Sequence, residues 1–475
     1  MPILFRIIMV CCFVAGSIYL PAQKASVELS DTTFVRTGDS LSPLIVIGNI
    51  QITGNKKTKD YVIQREIPFK QGDNILRTDL PAKLELCRQQ LMNTALFVDV
   101  EVKPKVIDNI ILVEVHVKER WYLFPLPYFS IVARNFNDWL IEHNASLNRV
   151  NYGLKFTQNN VSGRNDNLNF WLISGYTQQA SVRYENPFLD KTLKHGMSIN
   201  VSYSRNREIN YADSANKQLF TPNPEPFIYK DFHIELGYSY RPAIKTRHFF
   251  RVQYTDIEID RSVLELNPKY YPENKSRVRF PGISYSIQYF NVDYIPYPLK
   301  GFLGDAYIFN RLSKDYMTQV GFKGTYTKEV FKKSYLQFQG AASIKLPFKQ
   351  AYYSLGMFGS SDFYLRGLEP YVIQGVVGGF GRATVIKQAL SFKIKNPIKS
   401  QSHDKIPFKF MLKAYGDLGY SYLPNPGNSR LNNKLLRTWG AGVDVLTIYD
   451  VVLKLEYSFN QLGEKGLFIH TATDF

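Results

Sequence analysis

From Tyr122 to Phe475 apolar and polar positions alternate with a period of two. Met197, Ile199, Val201 and Tyr203 share one face of a segment whose other face carries Ser198, Asn200 and Ser202. Phe232, Ile234, Leu236, Tyr238 and Tyr240 alternate with His233, Glu235, Gly237 and Ser239. Ile283, Tyr285, Ile287 and Tyr289 repeat the pattern, as do Leu336, Phe338, Ala342 and Ile344, and later Phe408, Phe410 and Leu412. Strands of about ten residues with one apolar and one polar side predict a transmembrane antiparallel β-barrel over 122–475, with lipid outside, a polar lumen inside and closure pairing the backbone. That length accommodates 16 strands at about 22 residues per strand and turn. Polar inserts around 206–225 and 261–275 are expected as extracellular loops. A soluble sandwich or propeller is the competing architecture, but it needs no such aromatic rows, and no blade-length repeat is present.

The first 121 residues follow a different pattern. Ile3–Leu20 is apolar around Arg6 and precedes Pro21-Ala22-Gln23, which predicts a secretory signal peptide over 1–22. About 14 apolar residues after Arg6 are short for a membrane-spanning helix. Residues 23–43 form a polar lead-in. Over 44–121 the pattern is mixed. Leu44–Ile52 reads as a strand ending at Gly54-Asn55. A helix runs through Val62, Ile63 and Ile67 to the stop at Pro68. A turn is expected at Asp73-Asn74, then a second helix with Thr78 as N-cap and Pro81 in its first turn. Phe97–Val102 and Ile110–Val117 alternate as two antiparallel strands around Asp108-Asn109. The expected order is β-α-α-β-β. Cys87, the one cysteine after the leader, falls on an apolar helix face and reads as a buried, inert thiol.

Composition narrows the functional classes. The chain has 475 residues, 69 aromatics and a formal charge of +17. Residues 1–121 carry a net of only +2, and the remaining +15 belongs to the barrel region. Lysines and arginines there suit a polar lumen and anionic lipid or lipopolysaccharide head groups. Nucleic acid is not an expected partner of a chain with a secretory leader. No nucleophile elbow, metal-ligand spacing, phosphate loop or dinucleotide fingerprint is present, so no enzyme activity, metal or cofactor is expected. Gly375–Gly381 is glycine-rich, but it lacks the Lys-Ser/Thr of a phosphate loop.

Two sets of residues carry a family resemblance. Ile50-Gln51-Ile52-Thr53-Gly54-Asn55, Leu96-Phe97-Val98-Asp99-Val100 and the closing strand from Val113 resemble a POTRA domain. In the second region, Asn160–Asn165, Tyr184–Leu189, Ala414–Tyr420, Gly440–Asp444 and Leu453–Tyr457 resemble the bacterial surface antigen superfamily, the BamA/Sam/two-partner-secretion group. So does Phe363-Tyr364-Leu365-Arg366-Gly367-Leu368, where the family places an Arg-Gly-aromatic tip on a loop folded into the lumen. Leu368 stands here for the aromatic residue. Leu467, Ile469 and the terminal Phe475 resemble an outer-membrane sorting signal.

The resemblance implies a single-POTRA outer-membrane insertase or translocase with its POTRA domain in the periplasm. Its clients would be unfolded or nascent outer-membrane or secreted proteins, with accessory lipoproteins as further partners. A two-partner-type secretion pore for a dedicated exoprotein, a passive diffusion or uptake channel, and a surface structural protein or adhesin are the alternatives. The resemblance also makes Asp417 the expected partner of Arg366 and puts Lys393 where a second acid would stand. The first barrel strand is expected around 152–161, and the last around 466–475.

Overall fold

The computed structural model describes residues 43–107, 109–131, 147–222, 227–359, 363–396 and 404–472. The expected leader, residues 23–42 of the lead-in and Phe475 lie outside the described residues.

The N-terminal region is built from β1 (Leu44–Thr53), α1 (Asp60–Glu66), β2 (Asn74–Leu76), α2 (Leu80–Met92), β3 (Phe97–Ile107) and β4 (Ile110–Glu119). Its sheet has the order β2-β1-β4-β3, with β1 parallel to β4 and the other pairs antiparallel. Ile45, Ile47, Ile63, Leu91, Leu96, Phe97, Ile111 and Val115 form a closed core between sheet and helices. Each such side chain contributes about 1.5–3 kcal/mol. Cys87 lies in this core, and burial pushes its thiol up to about 12. Two local expectations are corrected. Asn74 opens a three-residue strand paired with Leu44–Val46 rather than completing a turn, because so short a strand shows no period. Asp79, not Thr78, is the N-cap of α2; neither side chain caps it, and Pro81 supplies the fixed φ of the first turn.

The rest is one antiparallel sheet of sixteen strands. In chain order they are β5 (Leu123–Ile131), β6 (Val150–Gln158), β7 (Asn167–Gly175), β8 (Thr177–Phe188), β9 (His195–Asn206), β12 (Tyr229–Ala243), β13 (Thr246–Ile259), β14 (Arg277–Val292), β15 (Gly301–Arg311), β16 (Met317–Phe331), β17 (Ser334–Leu346), β20 (Val377–Lys395), β21 (Lys405–Tyr422), β22 (Leu436–Leu446), β23 (Val452–Asn460) and β24 (Lys465–Ala472). The hairpin β10 (Asn210–Ser214) and β11 (Lys217–Phe220) and the helix α3 (Arg261–Leu266) occupy the two long polar inserts. The small ribbon β18 (Gly356–Phe358) and β19 (Ile373–Gln374) belongs to the loop that carries Arg366.

The expected first strand, 152–161, is therefore the second. β5 precedes it, and Pro125 and Pro127 hide it, since proline weakens a strand reading everywhere except at an edge. Along β21 the alternation is complete: Leu412, Ala414, Leu418 and Tyr420 are exposed, while Met411, Lys413, Tyr415 and Asp417 are buried. The exposed side is apolar, as a lipid-facing wall requires. The Phe124 ring at the start of β5 meets Tyr449, just before β23, edge-on at 5.3 Å. On the POTRA side the start of β5 thus packs against the turn before β23, the neighbour of the opposite edge strand β24, an arrangement compatible with closure into a barrel.

Candidate functional site: the lumen lock and the POTRA seat

The loop between β17 and β20 carries Arg366 inward, and the structure brings it to Asp417 of β21. Arg366 Nη2 and Nε donate to the two Asp417 carboxylate oxygens at 2.5 and 3.0 Å, and its backbone N–H approaches the same group at 3.3 Å. Both side chains are buried, at 6 % and 0 % exposure. The guanidinium lies 3.8 Å over the Tyr415 ring, and Nη2 also reaches Thr384 Oγ1 at 3.3 Å. The planar fork of arginine suits this two-point recognition, and a buried charge persists only when so paired.

The second acid is Glu456 on β23, 3.8 Å from Arg366 Nη1. Lys393 is not near the lock. It is an exposed residue near the far end of β20, and that strand presents Arg382 and Thr384 to the site instead. The expectation at Lys393 is corrected accordingly: the second carboxylate comes from another strand. Arg382 stands 3.2 Å from Asp417, and Lys413 Nζ pairs with Asp444 and Glu456 at 2.5 and 2.6 Å. His470 of β24 lies 3.3 Å from Glu369 and 3.4 Å from Glu456, stacked on Tyr364. Three buried cations thus face three buried carboxylates. Of these six residues, Arg382, Lys413, Asp444 and Glu456 escaped the sequence reading. A signal existed: Lys413 shares the face of Asp417, and Glu456 occupies a polar position of the alternating stretch Leu453–Phe459 on β23.

The rest of the loop tip is built to fit. Gly367 has φ +85°, and a Cβ there would stand 2.9 Å from Ser458 Cβ. Its carbonyl accepts from Asn460 Nδ2 at 2.9 Å. Leu368 is buried with Met357, Phe358, Leu365, Tyr371 and Ile373 of the loop and with Leu431, just ahead of β22, and Leu436 at its start, so the loop tip is packed onto the wall. Leu467 and Ile469 lie on β24.

At the opposite end the POTRA domain seats on the barrel rim. Gly54 has φ +89° and packs where a Cβ would strike the Val117 carbonyl. Asn55 donates to the Thr58 carbonyl and to Asp60, fixing the turn into α1. Glu119 accepts the backbone N–H groups of Lys57 and Thr58. Burial would raise its pKa, but these hydrogen bonds outweigh that and hold it below the ordinary carboxylate value. Leu96 and Phe97 turn their carbonyls to Tyr122 and Arg120, the residues that enter β5. Arg241 of β12 pairs with Glu66 at 2.6 and 2.8 Å, both buried. Burial first, and then the Arg241 charge, pushes Arg65 down to about 10. Arg120 pairs with Asp450 at 2.5 Å, Asn160 donates to Thr58 at 2.9 Å, and Gly163 lies against the Lys57 carbonyl. Among the described residues no group of His, Cys, Asp and Glu could hold a metal ion.

These features define a POTRA domain joined to a sixteen-stranded barrel with an inward loop. Residues 45–120 match the POTRA family profile, described as a surface antigen variable number repeat. Among solved structures, the fold is similar to BamA from Haemophilus ducreyi lacking POTRA domains 1–3, with TM-score 0.50 and 16 % identity over 90 % of this chain and 84 % of that one. It is also similar to CdiB from Escherichia coli, with TM-score 0.51 and 11 % identity over 90 % of this chain and 75 % of that one. A comparison with curated proteins returns no match. The chain is a single-POTRA barrel protein with the fold of BamA and CdiB.

Proposed function

We propose that the protein is an outer-membrane insertase or translocase. Its POTRA domain, in the periplasm, receives client polypeptides, and its barrel assembles them into the membrane or moves them across. The observation that carries this reading is the seam between β5 and β24. Asn159 N–H donates to the Tyr122 carbonyl, so even-numbered residues of β5 turn their backbone groups toward β6 and odd-numbered ones toward the seam. Pro125 and Pro127 therefore withhold two N–H donors from that edge. On β24, Asn460 N–H donates to the Glu464 carbonyl, which turns residues 465, 467, 469 and 471 to the seam. No ladder joins β5 to β24 among the described residues. A donor-poor seam separates at low cost, and a separated edge is a template for strand addition. The lumen, filled by the Arg366 loop and its ion pairs, favours a machine over a passive channel.

The test is the double substitution Pro125→Ala, Pro127→Ala, which restores two donors. The expected result is a barrel that unfolds at higher temperature and assembles clients more slowly. Cross-links from positions 467 and 469 should reach nascent barrel strands. Cross-links confined to a secreted protein in the lumen would favour secretion of a dedicated exoprotein, and the absence of any client contact would overturn the reading.

A further inference from the structure

The turn joining β14 to β15 does not stay at the barrel rim. Asp293 closes its neck by accepting the N–H groups of Leu299 and Lys300, both at 3.0 Å. Beyond that neck, Tyr294-Ile295-Pro296-Tyr297-Pro298 enters the lumen. Tyr297 is buried and donates to Asp444 on the β22 wall at 2.8 Å. It packs with Tyr335, Ile386, Met411, Leu446 and Val452, with Tyr294 and Leu299 at the edge of the same cluster. Gln337 of β17 donates to the Pro298 carbonyl at 3.3 Å, so the segment lies along the wall from β17 to β22. A cavity of about 230 Å³ remains between this segment and the lock, bounded by Ile295–Pro298 below and Arg366, Arg382 and Lys413 above.

The POTRA domain holds the segment at its neck. Asn93, the C-cap of α2, donates to the Val292 carbonyl at 3.2 Å and accepts the Ile295 N–H at 2.9 Å. Asp450, which pairs with Arg120 at the domain junction, also accepts the Tyr294 hydroxyl. Tyr449 and Asp450 both have positive φ, a strained pair fixed by these contacts.

We propose that residues 294–299 are a stopper that seals the lumen from the POTRA side and that the POTRA domain latches through Asn93 and Arg120. Two prolines stiffen the segment, so it withdraws as a unit. Moving the domain off the rim removes both latches together, and on the transport reading above a client engaging the domain is what moves it. The stopper and the lock share a wall. Asp444 accepts Tyr297 with one oxygen and pairs with Lys413 through the other, and Lys413 pairs with Glu456 beside Arg366.

The test is the labelling rate of a cysteine inside this cavity. Gln339→Cys lines that cavity. It is introduced into the full chain with Cys11 and Cys12 replaced by serine; the buried Cys87 thiol stays silent. A membrane-impermeant maleimide should label this site slowly. Asn93→Ala should raise the rate about tenfold, the equivalent of a charge-free latch of two hydrogen bonds. Replacing 294–299 by a Gly-Ser linker should raise it further. Fast labelling in the parent, or an unchanged rate in a linker variant that still shows the heat-modifiable mobility of a folded barrel, overturns the proposal. Should the linker variant not fold, Asn93→Ala and Tyr297→Phe decide, and unchanged rates in both overturn it. Client assembly is measured in parallel. Its absence beside stopper-dependent labelling refutes the transport reading alone, and intact assembly with stopper-independent labelling refutes the stopper alone.

Discussion

The POTRA domain and the barrel use one pattern in opposite directions. In β4, Ile111, Val113, Val115 and Val117 point into a closed apolar core, and their neighbours meet water. In β21 the apolar residues point outward, and Lys413, Tyr415 and Asp417 point into the interior. Period-two alternation therefore reports a two-sided strand and not which side is inside. The solvent on each side decides that: water around the small domain, hydrocarbon around the barrel. The energetic consequence differs as well. The domain is held by apolar burial, whereas the barrel interior is held by paired charges, which tolerate the loss of one member poorly.

This contrast can be broken at several points. Arg366→Ala takes the two-point partner from the buried Asp417, which keeps only Arg382, while Glu456 keeps Lys413. The expected cost is about 3–5 kcal/mol, read as a lower temperature for loss of heat-modifiable mobility together with lower client assembly. Wild-type values of both would remove the lock from the account. Phe97→Ala empties the POTRA core at a similar cost of about 3–5 kcal/mol. Its signature differs: hydrogen exchange should rise through β3 and β4 while the barrel mobility stays normal. Leu412→Lys tests the outward face. It should cost about 2–4 kcal/mol in a bilayer if the residue meets hydrocarbon, and far less in detergent where the side chain reaches water. Equal stability in both would place Leu412 outside the apolar belt.

The smallest effect concerns acid. The carboxyl of Glu119 lies below its ordinary value of 4.5 in the folded chain. Its contribution is therefore complete above about pH 4.5 and is lost as pH falls through the lower folded value. Amide exchange at Lys57 and Thr58 should rise over that window, and Glu119→Gln should flatten the response. An exchange rate independent of pH there, after correction for intrinsic chemistry, would detach Glu119 from the turn.

Much of this architecture was legible locally. Alternation announces β9, β12, β14, β17 and β21, and Gly54-Asn55 and Leu96-Phe97 mark the POTRA domain by resemblance within short windows. Arg366, Gly367 and Asp417 were identifiable, and the structure joins Arg366 to Asp417 across 51 positions. Other features lay beyond a local reading. Pro125 and Pro127 masked β5, because proline argues against a strand until its edge position is known. Glu456 sits 90 residues from Arg366. Tyr294–Leu299 has no periodicity, being neither strand nor helix.

The chain alone established that a small α+β domain precedes a long series of two-faced strands, since both follow from residue size, polarity and backbone propensity over short spans. Only the tertiary structure decided which carboxylates meet which cations, that Glu66 and Arg241 seat the domain across 175 positions, and that one turn enters the lumen. Those choices depend on sheet curvature and register, which bring together residues whose identities carry no mutual signal along the chain.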